Sequence, residues 1–209
     1  MMIRKGIFFT LAMVLAMSAG ASAGGFAYQA GKAHLGGDVT PVQAYEMVRK
    51  DPDHTFLVDC RTRAEYQFVG HPVGAHHIPL RFFSTTAGKT GYATVANPDF
   101  ANELRARFNP DQDTLIVLCR SGGRSCTACD EAVNAGFSED RVFNMMGGFE
   151  GGKNKNPTSV YYGKRWDGGW KREGLPWTYA MDAATMYRPD LDGKEAATIM
   201  TPTRLKVSQ

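Results

Sequence analysis

The run Cys119-Arg120-Ser121-Gly122-Gly123-Arg124-Ser125 is where this chain could do chemistry. It follows Thr114-Leu115-Ile116-Val117-Leu118, an apolar stretch that reads as a buried strand, and precedes a helical pattern. The cysteine therefore stands where a strand turns into a helix. Backbone N–H groups at the start of a helix, a Gly122-Gly123 pair that lets the loop wrap inward, and two arginines all favour negative charge on such a sulfur. The six residues after Cys119 carry no apolar side chain, which argues against a merely buried cysteine. At least one of Arg120 and Arg124 is expected to hold an anion, with the choice between them open. Ser121 and Ser125 are expected to donate to that anion, with helix capping the other role open to Ser125.

The other cysteines read more plainly. Cys126 and Cys129 form a C-x-x-C that continues, with Val133, a buried helix stripe, so core packing is expected over redox pairing. Cys60, at the end of another strand, is expected to pack, with a resolving role for its thiol as the alternative. Four cysteines allow three full pairings, and the sequence does not choose among them. No second C-x-x-C or paired-histidine motif completes a zinc site, and no metal is expected. Gly88-Lys89-Thr90 lacks the earlier glycine of a phosphate loop, Phe83 standing there instead.

Alternating strands and helices must position the loop. Thr40 and Pro41 open a first helix with Val42, Tyr45 and Val48 at helical spacing. Phe56 to Cys60 reads as a buried strand, Ala64 to Phe68 as a short helix and Ala75 to Ile78 as a strand. A helix carries Phe100, Leu104 and Phe108 on one face; Leu115 to Leu118 is the central strand; a helix runs to Ala135; and Arg141 to Met145 is the last strand. This alternation implies an α/β fold, a parallel sheet with helices on both faces and ligands at the strands' carboxyl ends. Two stretches leave such ends and are expected on the site's rim: 81–97, a long connection with little periodicity, and 150–169. The latter and its exit hold Tyr161, Tyr162, Trp166 and Trp170 among Lys153, Lys155, Lys164, Arg165, Lys171 and Arg172. They read either as a funnel for an anionic substrate or a docking surface for a partner protein, or as a loop packed on its own aromatics.

The cysteine loop resembles the active-site signature of the rhodanese (sulfurtransferase) family. Three more segments agree with it in order: Leu57-Val58-Asp59-Cys60-Arg61, Gly70-His71-Pro72-Val73-Gly74-Ala75-His76-His77-Ile78-Pro79, and Gly147-Gly148-Phe149. The resemblance spans roughly Val39 to Trp177 and implies a rhodanese-like fold over 39–180 with an insertion at 150–169. It implies that Cys119 is a nucleophile carrying sulfur as a persulfide, and that Arg120, Ser121, Gly122, Gly123, Arg124 and Ser125 bind the substrate. It implies that Asp59 and Arg61 form a polar pair bracing the loop, and that His71, His76 and His77 are satisfied structural residues. The expected reaction moves sulfur from thiosulfate or a persulfide to cyanide or a thiol, with no cofactor. A protein sulfur acceptor is a further expected partner. A non-enzymatic sulfur carrier or partner-binding module is the alternative, and a thiol-disulfide oxidoreductase the third. The related dual-specificity phosphatases carry an arginine six positions after the nucleophile. Here Arg124 lies at the fifth, a smaller ring that suits sulfur over a phosphoryl group.

At 209 residues, 43% hydrophobic and 22% charged, the chain suffices for one globular domain. Arg4 and Lys5, the apolar run Ile7 to Met17 and Ala21-Ser22-Ala23 read as a signal peptide over 1–23, which implies a periplasmic or secreted protein without a stable membrane span after cleavage. Cleavage takes two positive charges from a chain of formal charge +3, so nucleic acid is not an expected partner. A Gly-rich lead-in is expected over 24–38 and an arm or disordered tail over 181–209.

Overall fold

The computed structural model describes residues 25–89 and 91–187, so the expected signal peptide and most of the expected tail lie outside the described residues. The elements in chain order are β1 (Gly37–Val39), α1 (Pro41–Lys50), β2 (Thr55–Asp59), a π-helical turn (Glu65–Val69), β3 (His71–Pro72), β4 (His76–His77), β5 (Arg81–Gly88), β6 (Gly91–Ala96), α2 (Phe100–Arg107), β7 (Thr114–Leu118), α3 (Gly123–Asn134), a 3-10 turn (Glu139–Arg141), β8 (Val142–Met145), β9 (Gly152–Lys153), β10 (Arg165–Asp167) and β11 (Trp177–Thr178). Five strands form one parallel sheet in the order β1-β8-β7-β2-β4. Strands buried on both faces need continuous apolar runs, and β2 and β7 supply them as Thr-Phe-Leu-Val-Asp and Thr-Leu-Ile-Val-Leu.

The period of two sorts these side chains between two cores. Phe56, Val58, Leu115 and Val117 face α2 and α3 through Leu104, Ala128, Cys129 and Ala132. Leu57, Ile116, Leu118 and Met145 face α1 through Ala44 and Val48, joined by Phe149 and Trp170. Helix α1 starts where expected because Thr40 and Gln43 cap each other reciprocally, at 3.2 and 2.9 Å.

Three expectations are corrected. The lead-in is not a loose segment throughout: Gly37–Val39 is the edge strand β1, and Tyr28 packs where Cβ atoms on Gly147 and Gly168 would stand. Its hydroxyl donates to Glu173 at 2.7 Å and accepts from the Gly169 N–H at 2.9 Å. The connection over 81–97 contains the antiparallel β5–β6 hairpin. Among the first residues expected in the tail, Thr185 and Tyr187 are buried, and the Thr185 carbonyl accepts from the His77 N–H at 2.8 Å, covering the β4 edge.

The three histidines sit inside. Tyr66 stacks between His71 and His77, with ring centroids at 3.6 and 4.3 Å, and both of those histidines hydrogen-bond to carbonyl groups. His76 departs from the expected satisfied residue. Neither of its ring nitrogens has a partner among the described residues, and Phe56 and Phe108 meet it edge-on.

Burial, and then the charge of Arg107, push His76 down to about 4. The unfolded chain therefore binds a proton near pH 6.5 that the folded chain refuses, so this contribution is full above pH 6.5 and is lost as pH falls through about 4. His76→Leu is expected to flatten that loss and, by removing the desolvated nitrogens, to hold or raise stability at pH 7 by roughly 1 kcal/mol. Urea unfolding at several pH values checks this; an unchanged slope between pH 6.5 and 4 would refute it.

Candidate active site

Strand β7 ends at Leu118, and the chain must reverse within four residues to start α3 at Gly123. Gly122, with φ of 103°, makes that reversal, and its N–H then points to the Cys119 Sγ at 3.2 Å. Cys119 is 2% exposed. Its sulfur lies at the N-terminal end of a 12-residue helix with no acidic residue in the first turn, where the helix dipole favours an anion.

Ser125, the third residue of α3, lies 3.5 Å from the Sγ, 2.9 Å from the Gly122 carbonyl and 2.6 Å from the Asn144 Oδ1. One hydroxyl proton cannot serve three acceptors, and the shortest contact goes to Asn144. Asn144 in turn donates through Nδ2 to Asp38 at 2.7 Å, which fixes its amide with the oxygen toward Ser125. Asn144 and Asp38 were not singled out in the sequence, because neighbouring strands join them to the loop.

The loop rests on backbone. Cys119 and Arg120 carbonyls accept from the N–H groups of Phe149 and Glu150 at 2.8 and 2.9 Å. A Cβ on Gly148 would strike the Cys119 carbonyl and the Arg120–Ser121 peptide, which explains the Gly147-Gly148-Phe149 segment physically. Beneath it, Asp59 and Arg61 form a fully buried pair, with Arg61 Nη2 at 2.6 Å and Nε at 2.9 Å from the carboxylate. Arg61 also donates to the Gly70 carbonyl at 2.7 Å and lies 4.4 Å from the Phe149 ring centroid.

The two loop arginines behave differently. Arg124 donates to both Glu65 oxygens, at 2.7 and 2.6 Å. Glu65 went unnoticed because its partner lies 59 residues away. Arg120 is exposed, and its guanidinium has no hydrogen bond or ion pair among the described residues. Ser121 and Gly123 are exposed too, and Gly122 is the one loop residue whose N–H reaches the sulfur among the described residues.

Both rim stretches come to the site. Thr62, Glu65, Arg81, Phe83, Thr94, Arg120 and Arg124 line an open cleft of about 280 Å³ between the β5–β6 hairpin and the cysteine loop. From the 150–169 stretch, Arg165 donates to the Gly151 carbonyl at 2.9 Å. Burial, and then the like charge of Arg120, lower its pKa, with Cys119 also among the charges that act on it. The aromatics there pack mostly on themselves: Tyr161 stacks on Trp166 at 3.5 Å, Arg172 covers Trp166 at 3.3 Å, and Trp170 is buried.

The other thiols sit in insulating surroundings. All four cysteines are free and buried. Burial raises the pKa of Cys60, Cys126 and Cys129, and Cys126 donates its thiol to the Gly122 carbonyl at 3.2 Å.

A family model described as the Rhodanese-like domain matches residues 40–155. The uncharacterized protein RP600 homolog of Rickettsia rickettsii is 32% identical over 143 residues, 68% of this chain and 97% of that one. Thiosulfate sulfurtransferase 16, chloroplastic, of Arabidopsis thaliana is 36% identical over 108 residues, 51% of this chain and 81% of that one. Among solved structures, Rv0390 from M. tuberculosis is 34% identical with a TM-score of 0.55, covering 70% of this chain and 99% of that one.

Burial raises the Glu65 pKa, but the hydrogen bonds and charge of Arg124, with Thr62, outweigh it and hold the carboxyl at about 2. A carboxylate depressed from 4.5 contributes stability that is full above pH 4.5 and lost as pH falls through about 2. Glu65→Gln is expected to cost roughly 2 kcal/mol at pH 7, discounted for partial exposure, with the deficit shrinking toward pH 2. Urea denaturation of both proteins at pH 7, 4 and 2 tests this; a deficit that stays constant with pH would show that the ion pair is not its source.

Proposed function

The chain belongs to the rhodanese-like domain family, and on that premise we propose that it is a sulfurtransferase working through a persulfide on Cys119. The observation that carries the reading is the placement of the Cys119 Sγ. It accepts the Gly122 N–H at 3.2 Å at the start of α3, whereas burial holds the other three thiols protonated. In the first half-reaction the Cys119 thiolate attacks the outer sulfur of thiosulfate. A sulfur–sulfur bond forms, the bond to the sulfonate sulfur breaks, and sulfite leaves with the electron pair. The resulting persulfide anion stays over the helix start, where backbone dipoles already favour negative charge. Arg120 is the loop arginine left for the donor's oxygen end, since Glu65 occupies Arg124.

The second half-reaction passes the outer sulfur to a thiophilic acceptor, cyanide or a thiol. The signal-like sequence at the N-terminus supports export to the periplasm or beyond. A small sulfur-containing anion is the donor in this reading. A second reading, a carrier that delivers its persulfide only to a docked protein, draws support from the exposed Tyr92 and Val95 on the hairpin beside the site.

Mass spectrometry of purified protein is expected to show the gain of one sulfur on Cys119 after thiosulfate. Cyanide should remove it with release of thiocyanate, and Cys119→Ser should abolish both events. Sulfur found on Cys60, Cys126 or Cys129 with Cys119 unmodified would sink the proposal. Rapid turnover with free cyanide favours the enzyme; a stable persulfide that cyanide barely touches favours the carrier.

A further inference from the structure

The cleft beside the cysteine loop has more room and more fixed charge than a small anion would use. Its walls bring the guanidinium groups of Arg81, Arg120 and Arg124 against the single carboxylate of Glu65. Glu65 and Arg124 bind each other through two short hydrogen bonds, so that pair is locally neutral. The uncompensated charge belongs to Arg81 and Arg120.

Arg81 is pre-positioned. Its Nε donates to the Thr94 Oγ1 at 2.9 Å and its Nη2 to the Thr94 carbonyl at 2.8 Å, both across the hairpin. Those bonds aim the guanidinium before any ligand arrives, which removes an ordering cost from binding. Neither bond neutralises the charge. Phe83, 53% exposed, lies on the same hairpin strand and lines the same cleft. Two cations about an apolar surface match a ligand with two anionic groups joined by a short carbon chain.

We propose that this cleft is the acceptor subsite, and that it selects a thiol bearing carboxylates. The inference rests on the sulfurtransferase reading. One carboxylate would lie on Arg81 and another on Arg120, with the carbon chain over Phe83. The thiol is then held beside Arg120 and Arg124, cleft-lining residues of the same loop as Cys119. The acceptor thiol first passes its proton to the outer sulfur of the Cys119 persulfide anion, and the resulting thiolate attacks that sulfur. A bond forms between the acceptor sulfur and the outer sulfur, and the bond to Sγ breaks. Its electron pair remains on Sγ as the Cys119 thiolate, while the outer sulfur and its proton leave on the acceptor.

The test compares mercaptosuccinate with 2-mercaptoethanol as acceptors, with thiosulfate as donor, in the wild-type protein and in Arg81→Gln. The wild type is expected to prefer mercaptosuccinate, and the ratio of the two kcat/KM values is expected to fall about tenfold in Arg81→Gln. Arg81→Lys, which keeps the charge and loses the fork held by Thr94, should fall in between. Equal ratios in wild type and Arg81→Gln would overturn the assignment. So would a loss confined to persulfide formation from thiosulfate, which would make the cleft a donor site. Calorimetry with succinate decides the matter without catalysis. If Cys119 takes up no sulfur, the sulfurtransferase reading fails, yet succinate bound by wild type and about tenfold more weakly by Arg81→Gln still supports a dicarboxylate cleft. No succinate binding to a folded wild type overturns it.

Discussion

The carbonyls of Cys119 and Arg120 accept hydrogen bonds from the N–H groups of Phe149 and Glu150, and the cysteine loop depends on the two backbones coming that close. A loop that turns an N–H inward toward a sulfur, as Gly122 does here, turns carbonyls the other way, and buried carbonyls must be paired. The segment after β8 pairs them, and only a residue without a side chain passes the contact, which is why Gly148 stands there with φ of 57°. Phe149 then reaches beneath the loop to Arg61, itself held by Asp59. The strand ends, the glycine pair and the buried ion pair thus form one support, and the sulfur inherits its position from it.

Charge around this support is distributed by burial. Deep in the fold, Arg61 and Asp59 are inaccessible to solvent and pair with each other, because a lone buried charge would cost several kcal/mol. One step outward, Arg124 is partly exposed and pairs with Glu65. At the surface Arg120 is exposed and Arg165 keeps a carbonyl partner, so positive charge stands on the solvent side of the loop, where the proposed anionic donor would enter. The phosphatase alternative needs an inward arginine at the sixth position after the cysteine. That position is Ser125, fully buried and bonded to Asn144.

Features set by neighbours in sequence could be read without the structure. The cysteine loop, the helix start at Thr40 and Pro41, the stripe of Cys126 and Cys129 and the apolar runs of β2 and β7 are local patterns with local causes. What could not be read depends on distant partners. The hairpin Arg81–Gly88 with Gly91–Ala96 is largely exposed on both faces, so it shows no alternation to betray its strands. Glu65 looks like any surface acid until the π-helical turn carries it to Arg124. In the Gly-rich lead-in, Tyr28 is the residue that fills the space left by Gly147 and Gly168, a complementarity visible only in three dimensions. His76 followed a familiar motif, yet its nitrogens found no partners among the described residues, since Phe56 and Phe108 close around it.

Selectivity among the four thiols follows from where each stands on the same scaffold. Cys60 leaves β2 beside the end of β7, its N–H bonded to the Leu118 carbonyl, so it is the neighbour of Cys119 across the strands. Both belong to one apolar cluster, yet Cys60 has no helix start or loop N–H directed at its sulfur among the described residues. Burial and the proximity of Cys119 both raise its pKa. Cys126 spends its thiol proton on the Gly122 carbonyl and so helps to hold the residue whose N–H serves Cys119. Cys129 packs against the sheet, and burial again keeps its proton in place. On the proposed reading, a sulfur atom accepted at Cys119 would meet neighbouring thiols that are poor nucleophiles, and the same burial that builds the core would protect the persulfide from internal attack.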